Sequence, residues 1–445
     1  MSAISCSCTD VFEEKVSKGK LLILAFQHVL TMCPASIAVP LILGSALNLD
    51  NKTIAFLVSA NLFTSGISVL IQTLGFANIG SKLPLVMGAS FAPLGVMISI
   101  GGQYGLDTLF GAIIGSGILI FAISFLMDKI LVFFPDVVVG SFVTLIGISL
   151  IPVAFKDLAG GEGAANFGAI ENIMLGGLVL IIIVLLNQYG KGLIRSLSLL
   201  IGIVAGTIIA FGFGMVDLTP VAEASWFEII NPGKFGMPKF RIDAILMMTI
   251  FCVINLIQCI GVFSVLDEVC KTSTDSNTKI KGLRGVAMGQ IFAGLFCSVP
   301  STMFNENVGL IELTNIKSRN VIKVAGLFLI IIGFFPKVAA LITVIPKPVM
   351  GGATISLFGI ILTAGISILS KVDFSTGGNF TIVGISLAVG VGVTVVPNIF
   401  EKFPSLLSML LSNGLFMVSI TAIILNIVFK FKLDIEVILR EYLIK

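Results

Sequence analysis

The stretch Pro300-Ser-Thr-Met-Phe-Asn-Glu-Asn-Val-Gly-Leu-Ile-Glu-Leu-Thr314 carries a carboxylate, Glu306, directly after a charge-free apolar run that starts at residue 285. At membrane depth an acidic side chain costs several kcal/mol unless it is protonated, paired or facing a polar cavity. By default such a residue marks a substrate or ion site. We therefore expect a functional site at Glu306, and the question is whether the chain around it crosses a membrane.

The composition is that of a membrane protein. Of the 445 residues, 56% are apolar and only 11% are charged, and the mean hydropathy is +1.11. Most charge-free runs are long enough to cross a hydrocarbon layer of about 30 Å as helices of about 20 residues. These runs are 21–49, 53–81, 83–106, 108–127, 137–155, 172–190, 196–216, 244–266, 285–305, 348–370, 374–400 and 403–429, with a shorter one at 324–336. An all-α polytopic membrane protein is predicted.

The distribution of charge predicts the orientation. By the positive-inside rule, connections rich in Lys and Arg are cytoplasmic. The basic positions are 15–20, Lys191, Arg195, Lys271, Lys279, Lys281, Arg284, Lys317, Arg319, Lys430 and Lys432. The long connection 217–241 carries acidic residues and suits the outer face. Both termini are therefore expected in the cytoplasm, in a membrane of the bacterial inner type, with the lipid bilayer as partner. The net charge of +3 reflects this topology and does not indicate nucleic-acid binding.

Two stretches recur about half a chain apart. Pro84–Phe91 resembles Pro300–Asn307, and Pro135–Ser141 resembles Pro346–Gly352, at offsets of 216 and 211 positions. Accidental similarity between glycine-rich apolar helices is the alternative. A duplication with its boundary near 230–241 and seven spans in each half would give halves of opposite orientation, the inverted repeat of many secondary transporters. The predicted domains are a cytoplasmic tail at 1–19, a first seven-span repeat at 20–235, a second at 236–430 and a cytoplasmic tail at 431–445.

The matching stretches also predict broken helices in spans 3 and 10. Pro84 and Pro300 would each open an extended stretch followed by a half-helix, whose first-turn N–H groups point towards the protein centre without helical partners. Such helix ends bind carbonyl oxygens or anions. Ser90 and Asn305 are residue types that favour helix starts.

Three local patterns resemble the nucleobase–ascorbate transporter family. They are Glu306-Asn307-Val308-Gly309 with Thr314, the pair Gln27-His28, and the stretch Leu83–Phe91. The resemblance extends from about residue 20 to 430. Within the family, Gly-Val-Phe at 261–263 and Asn-Val-Gly-Leu at 307–310 are most similar to the xanthine and uric acid permease branch.

The chain departs from that branch at its acidic positions. The branch usually has a substrate-binding Glu on the eighth span and a Gln on the tenth, whereas the equivalent residues here are Gln258 and Glu306. Val262 and Val286 stand where relatives carry further acidic or histidine residues. Glu306 would then be the only carboxylate of the site.

The resemblance implies a site for a flat heterocycle. Glu306 would accept ring N–H protons, while the Gln258 amide offers one acceptor and two donors. Phe91 would stack on the ring. Backbone N–H groups near Ala89, Ser90 and Phe91, and near Asn305 and Glu306, would donate to exocyclic oxygens.

Proton coupling is assigned to Glu306 and His28. His28 has a competing structural role, in which it bonds a backbone carbonyl or holds the polar network of the first span. Asn307 would either contact the substrate or brace the half-helix. The remaining polar-network positions are Gln27, Gly309 and Thr314.

The sequence therefore predicts fourteen transmembrane segments in a 7+7 inverted repeat, with a core of spans 1–4 and 8–11 and a gate of spans 5–7 and 12–14, a division implied by the resemblance. The expected function is proton-coupled uptake of a purine nucleobase, xanthine or uric acid first. Uracil transport is an alternative, as is an anion exchanger or channel of the same fold.

No enzymatic activity is expected, because the spans hold no Asp/Asp, Ser/Lys or metal-ligand set. The only expected cofactor is the co-transported proton, and a homodimer is expected by family analogy. A metal at Cys6 and Cys8 is not expected, because no His or second Cys pair lies near them.

Overall fold

The computed structural model describes residues 12–127, 134–161, 163–375, 378–403 and 405–443, in which the chain is mostly helical. The helices before residue 230 are α1 (Lys18–Ala46), α2 (Asn51–Leu74), α3 (Leu94–Tyr104), α4 (Leu106–Ile123), α5 (Asp136–Leu158), α6 (Ile170–Tyr189) and α7 (Ser198–Gly212). Those after it are α8 (Ile242–Cys270), α9 (Ser276–Leu295), α10 (Asn305–Thr314), α11 (Arg319–Gly333), α12 (Pro336–Thr343), α13 (Lys347–Leu369), α14 (Asn379–Val395) and α15 (Gly414–Leu443). Short helical turns lie at Ser124–Leu126, Leu193–Ser196, Thr219–Glu223, Pro397–Phe400 and Ser405–Leu411. Cys6 and Cys8 lie outside the described residues.

The helices confirm a polytopic membrane protein. Among the described residues, seven helices are long and apolar enough to cross a bilayer, and the bent pair α11 and α12 raises the number to eight. The two helices of that pair meet at 80°, where Pro336 starts the second helix. Proline at a first helical position ends the preceding hydrogen-bond ladder and fixes the new start. Shorter apolar helices are α7, α14 and the part of α15 up to Phe429.

Contacts divide the chain into two compact units. The larger comprises the chain up to Phe125 together with Lys156–Thr354, and it holds all the predicted site residues. In this unit α2 packs on α11, and α4 packs on α8 and α9. The smaller unit comprises Leu126–Phe155 and the chain from Ile355 onwards. In it α14 packs on α15, and a small core is formed by Val137, Val138, Ile382 and Ala422.

Two short strands lie at the centre of the larger unit. β1 (Met87–Ala89) and β2 (Ser301–Met303) pair antiparallel, with Gly88 opposite Thr302. The ladder continues at both ends, because the Ser90 N–H donates to the Pro300 carbonyl at 2.8 Å and the Phe304 N–H donates to the Val86 carbonyl at 3.1 Å. α3 begins five residues after β1, and α10 begins two residues after β2. The extended stretches predicted at the two prolines therefore bond to each other.

A polar face on α2 supports this non-helical backbone. Asn61, Thr64, Ser68 and Gln72 are all buried and recur at helical spacing on one side of an otherwise apolar helix. Non-helical backbone at membrane depth is tolerated only where protein groups satisfy it. On this face, Asn61 donates to Ser36, and Thr64 donates to Ser298 at 2.8 Å. Ser68 accepts a hydrogen bond from Ser301 at 3.4 Å. The Gln72 amide donates to the Gly282 carbonyl at 2.8 Å and accepts from the Ser81 N–H at 3.0 Å. α2 is thus a scaffold for the strands and for the connections beside them.

α2 and α11 approach each other closely at two glycines. A Cβ atom on Gly66 would lie 2.5 Å from the carbonyl oxygen of Gly326, and one on Gly326 would lie 2.9 Å from Val69 Cγ1. Small residues let membrane helices come this near, and any larger side chain would force them apart. The glycine pair therefore fixes the distance between the two helices.

The residues before α1 bind the segment after α10. Phe12 is buried, and its carbonyl accepts a hydrogen bond from the Arg319 N–H at 3.0 Å. The Glu14 carbonyl accepts one from Ser318 Oγ at 2.7 Å. Part of the predicted N-terminal tail is therefore docked on the larger unit, and we call residues 12–14 the N-terminal strap. At the other end of the chain, α15 continues to Leu443, through most of the predicted C-terminal tail.

Candidate functional site

Glu306 is the second residue of α10, directly beyond β2. Its side chain is accessible, as is that of Asn305 before it. The carboxylate contacts its own backbone N–H, and no residue that the structure describes forms an ion pair with it. The N-cap residue Phe304 makes no side-chain cap hydrogen bond, so the partial positive charge of the helix start lies beside Glu306. The arrangement suits a ligand that offers an N–H to the carboxylate.

Gln258 supplies a second open polar group. It lies half-buried on α8, which packs against α10, and its amide has no hydrogen bond to another described residue. One helical turn further on, Gly261 and Gly309 have open space where a Cβ would be. Both helices therefore present a polar side chain beside a position without a side chain, which leaves room for a flat molecule.

Of the site residues predicted in the first half, Ala89 ends β1, and Ser90 and Phe91 lie between β1 and α3. Phe91 is 9% exposed, and its carbonyl accepts a hydrogen bond from the Leu94 N–H at 3.1 Å. The Ala89 N–H donates to Ser36 Oγ at 3.0 Å, and the Ser90 N–H is used in the ladder with β2. Two of the amides that we expected to face a ligand are thus already occupied, one by the Ser36 hydroxyl and one by the pairing with β2.

His28 and Asn307 bond to each other. Asn307 Nδ2 lies 2.9 Å from the His28 carbonyl oxygen and 3.1 Å from His28 Nδ1. A carbonyl oxygen only accepts, so the nitrogen of the amide must face it, and the ring nitrogen then accepts the second N–H. The ring is therefore neutral, with its proton on Nε2. Asn307 Oδ1 is buried with no partner among the described residues.

The remaining network positions are not connected to this pair. The Gln27 carbonyl accepts a hydrogen bond from Thr31 Oγ1 at 2.9 Å, but its side chain bonds to no other described residue. Thr314 Oγ1 donates to the Leu310 carbonyl at 2.8 Å at the end of α10. The structure thus joins two of the predicted residues and leaves these two as local contacts of their own helices.

Asn255 is a site-neighbouring residue that the sequence analysis missed. It is completely buried on α8, one turn before Gln258. Its Oδ1 accepts a hydrogen bond from Ser90 Oγ at 3.0 Å, and its Nδ2 donates to the Ser301 carbonyl at 3.0 Å. The available signal was an amide side chain in an apolar span, which marks a functional or structural position. Among the described residues, no group of three His, Cys, Asp or Glu side chains lies close enough to hold a metal.

Comparison with known proteins identifies the family. A family model described as a permease family matches residues 19–399. The chain belongs to this permease family. Its members are the nucleobase–ascorbate transporters, so the predicted resemblance is confirmed, and so is the prediction that the protein is a transporter and not an enzyme.

Several permeases of this family are similar over almost their whole length. "Xanthine permease" of Bacillus subtilis is 44% identical over 411 residues, covering 92% of this chain and 94% of the relative. "Uric acid permease PucK" of the same organism is 40% identical over 420 residues, covering 94% and 98%. "Uric acid transporter UacT" of Escherichia coli is 38% identical over 425 residues, covering 95% and 88%.

Solved structures share the fold at low sequence identity. The transmembrane domain of a cyanobacterium bicarbonate transporter, BicA, aligns over 94% of this chain and 100% of its own, with a TM-score of 0.61 and 16% identity. The murine anion transporter Slc26a9 in its inward-facing state aligns over 95% and 69%, with a TM-score of 0.61 and 13% identity. The permease thus has the same fold as these anion transporters.

Proposed function

We propose that this permease takes up an oxidised purine nucleobase, xanthine or uric acid, by proton symport. The observation that carries the proposal is the pair Gln258 and Glu306 on contacting helices, two polar side chains with no partner on another described residue, in a chain that is 44% identical to a xanthine permease. The relatives that we compared are named for xanthine or uric acid, which supports the substrate class.

The proposed recognition uses the edge and the face of the base. Glu306 accepts a ring N–H, and the Gln258 amide pairs with a neighbouring carbonyl and N–H. Phe91 covers the ring face, and Asn305 lies at its rim. A base that lacks one of these groups would leave a buried polar atom unpaired, at a cost of about 1–3 kcal/mol.

The proposed coupling residue is Glu306. It has no ion-pair partner among the described residues, so binding a proton there relieves the cost of a charge inside the membrane. The neutral ring of His28, tied to Asn307, supports a bracing role for both residues and leaves Glu306 as the proton carrier. Ala89 and Ser90, whose amides are occupied, then shape the site without donating to the base.

We also propose the fourteen-span inverted repeat for this chain. The support is the element order: α1, α2, β1 with α3, and α4 to α7 in one half correspond in number and type to α8, α9, β2 with α10, the bent pair, and α13 to α15 in the other. β1 and β2 meet at Met87 and Met303, which are the matching positions of the repeated stretches. Cytoplasmic termini, the division into core and gate, and a homodimer remain part of the proposal.

Two other substrates are alternatives. Uracil is the alternative within the family, although only one carboxylate is proposed for this site. Anion exchange is suggested only by the fold shared with bicarbonate and anion transporters, and the site carries an acid with no Lys or Arg among its described residues.

The test is uptake of labelled xanthine into proteoliposomes with an inward proton gradient, using uric acid, uracil and adenine as competitors. Accumulation that requires the gradient and is blocked by uric acid but not by uracil or adenine supports the proposal. No xanthine uptake, or block by uracil alone, contradicts it. Gradient-independent exchange of bicarbonate would favour the anion alternative.

A further inference from the structure

Asn255 joins three parts of the site that come from distant parts of the chain. Its Oδ1 accepts from Ser90 Oγ, and its Nδ2 donates to the Ser301 carbonyl, both at 3.0 Å. Ser90 is the neighbour of Phe91, and Ser301 lies in the strand that leads into Glu306. Asn255 itself is one helical turn from Gln258. One buried amide thus bonds to the residue before Phe91 and to the strand before Glu306, one helical turn from Gln258.

The direction of each hydrogen bond is fixed. The Ser301 oxygen only accepts, so the amide nitrogen of Asn255 must face it, and Oδ1 must then face Ser90. Ser90 Oγ also accepts from the Ala92 N–H at 3.3 Å, ahead of α3. The chain of bonds therefore runs from the backbone before α3 through Ser90 and Asn255 to β2, and reversing the Asn255 amide would place its oxygen against the Ser301 carbonyl oxygen.

A second contact from the same face of α8 supports this link. Cys259 lies four residues after Asn255 and therefore on the same side of the helix. Its Sγ is 3.6 Å from Thr302 Oγ1, in the middle of β2. Asn255 and Cys259 thus attach α8 to the strand pair along one helical turn, and Gln258 extends from the adjacent side of that turn.

We infer that Asn255 is a positioning residue that determines substrate specificity. By holding Ser90 and Ser301 at fixed distances from α8, it sets how far the ring-stacking group lies from the two groups that read the ring edge. Xanthine and uric acid differ by one oxygen atom, and discrimination at that scale depends on such spacing. The inference rests on the proposed function and adds a residue that determines which purine is preferred.

The test compares Asn255→Asp with a matched substitution elsewhere. Asn255→Asp keeps the shape and the acceptor for Ser90 but places an oxygen against the Ser301 carbonyl. Asn172→Asp makes the same chemical change at another buried asparagine, whose Nδ2 donates to the Ala159 and Asn166 carbonyls at 3.1 and 2.9 Å. Ser90→Ala is a milder variant that removes only one bond of Asn255.

The readouts are the amount of protein in the membrane, KM and Vmax for xanthine, and the ratio of inhibition constants for uric acid and xanthine. We expect Asn255→Asp to raise KM about tenfold, as for one uncompensated buried polar contact, with a smaller change in Vmax and a changed ratio. Ser90→Ala should change the ratio in the same direction, and Asn172→Asp should leave it unchanged.

Two outcomes separate this inference from the proposed function. If the unmodified protein takes up xanthine or uric acid and Asn255→Asp keeps its ratio, Asn255 is only a scaffold residue and the inference is wrong. If Asn255→Asp does not reach the membrane, an unchanged ratio in Ser90→Ala overturns the inference in the same way. If the unmodified protein takes up neither purine, the proposed function itself fails.

Discussion

At the scale of single residues, the site combines open polar groups with tightly bonded ones. Gln258 and Glu306 have no partner on another described residue, whereas His28, Asn307 and Asn255 are buried and hydrogen-bonded. A buried polar group that already has partners is costly to disturb, and one that lacks them is available to a ligand. This division separates the residues expected to bind the substrate from those expected to hold the binding residues in place.

Glu306→Gln should abolish proton-driven accumulation, because an amide cannot take up and release the proton. We expect at least about a tenfold loss of gradient-driven xanthine uptake, the effect of about 1.4 kcal/mol or more. Exchange of xanthine without a gradient should be retained in part, since the amide still offers an acceptor to the base. Glu312→Gln, at an exposed position six residues further along α10, is the control and should accumulate xanthine normally. Full proton-driven accumulation by Glu306→Gln would show that another residue carries the proton.

His28→Gln should preserve proton coupling, because His28 acts through a neutral ring that accepts from Asn307. Glutamine also offers an acceptor, so we expect a severalfold higher KM but an unchanged pH profile of uptake. The measurement is initial uptake rate between about pH 5 and pH 8, the range in which an unperturbed histidine changes charge. A lost or shifted pH dependence in this variant would instead assign a proton-carrying role to His28.

At the scale of helices and strands, the larger unit is held by close contacts between backbone atoms and by hydrogen bonds from buried polar side chains. β1 and β2 pair with each other, the polar face of α2 bonds to backbone and side-chain groups around them, and glycines let α2 meet α11. The strand pairing and the glycine contact involve backbone atoms, for which no larger side chain can substitute. Stability is therefore expected to be most sensitive where the helices are closest.

Gly66→Ala should destabilise the protein, because the added methyl group would collide with the Gly326 carbonyl. Overpacking of this kind costs about 1–3 kcal/mol. Gly177→Ala is the matched control on α6, where a Cβ meets no atom within 4 Å. The control should be neutral or slightly stabilised, since alanine is the better helix former. Thermal unfolding of both variants in the same detergent measures the difference in stability. Equal melting temperatures would contradict the close contact between α2 and α11 at Gly66.

The sequence predicted much of this element-level plan but not its connections. Pro84 and Pro300 indicated extended stretches because proline lacks an N–H and restricts the residue before it, and both stretches are strands. Their pairing with each other could not be predicted, because register depends on contacts between residues more than 200 positions apart. Asn255 was missed for the same reason, since an amide in an apolar helix does not reveal which backbone it bonds. Occupation of the Ser90 amide follows from the pairing, and occupation of the Ala89 amide follows from a contact with Ser36 on α1, so both were equally hidden.

At the scale of the whole molecule, the N-terminal strap links the start of the first span to the segment beyond α10. α1 and α10 are also joined inside the site, where Asn307 donates a hydrogen bond to the His28 carbonyl. α1 and α10 are thus connected at two levels, one in the membrane and one at the face predicted to be cytoplasmic. The ion pair between Glu13 and Arg319 is partly exposed, so it is expected to contribute at most about 1 kcal/mol.

Phe12→Ala should loosen the strap, because Phe12 is 1% exposed and truncating a buried phenylalanine costs about 3–5 kcal/mol. The N–H groups of Lys317 and Arg319 donate to Glu14 and Phe12, so their hydrogen exchange should become faster. Phe167→Ala, at an exposed loop position, should leave exchange at these amides unchanged. Hydrogen–deuterium exchange of peptides covering 314–320 measures the effect. Unchanged protection in Phe12→Ala would mean that the strap does not hold this segment.

The pairing of β1 with β2 has a consequence for biosynthesis. Gly88 leaves the ribosome long before its partner Thr302 is made. At about 5–20 residues per second, the first strand waits on the order of 10–40 s for the second. During that interval its backbone groups sit in a half-built protein without their final acceptors and donors. Newly inserted chains that stop before the second strand therefore lack the partner of β1 at the centre of the larger unit.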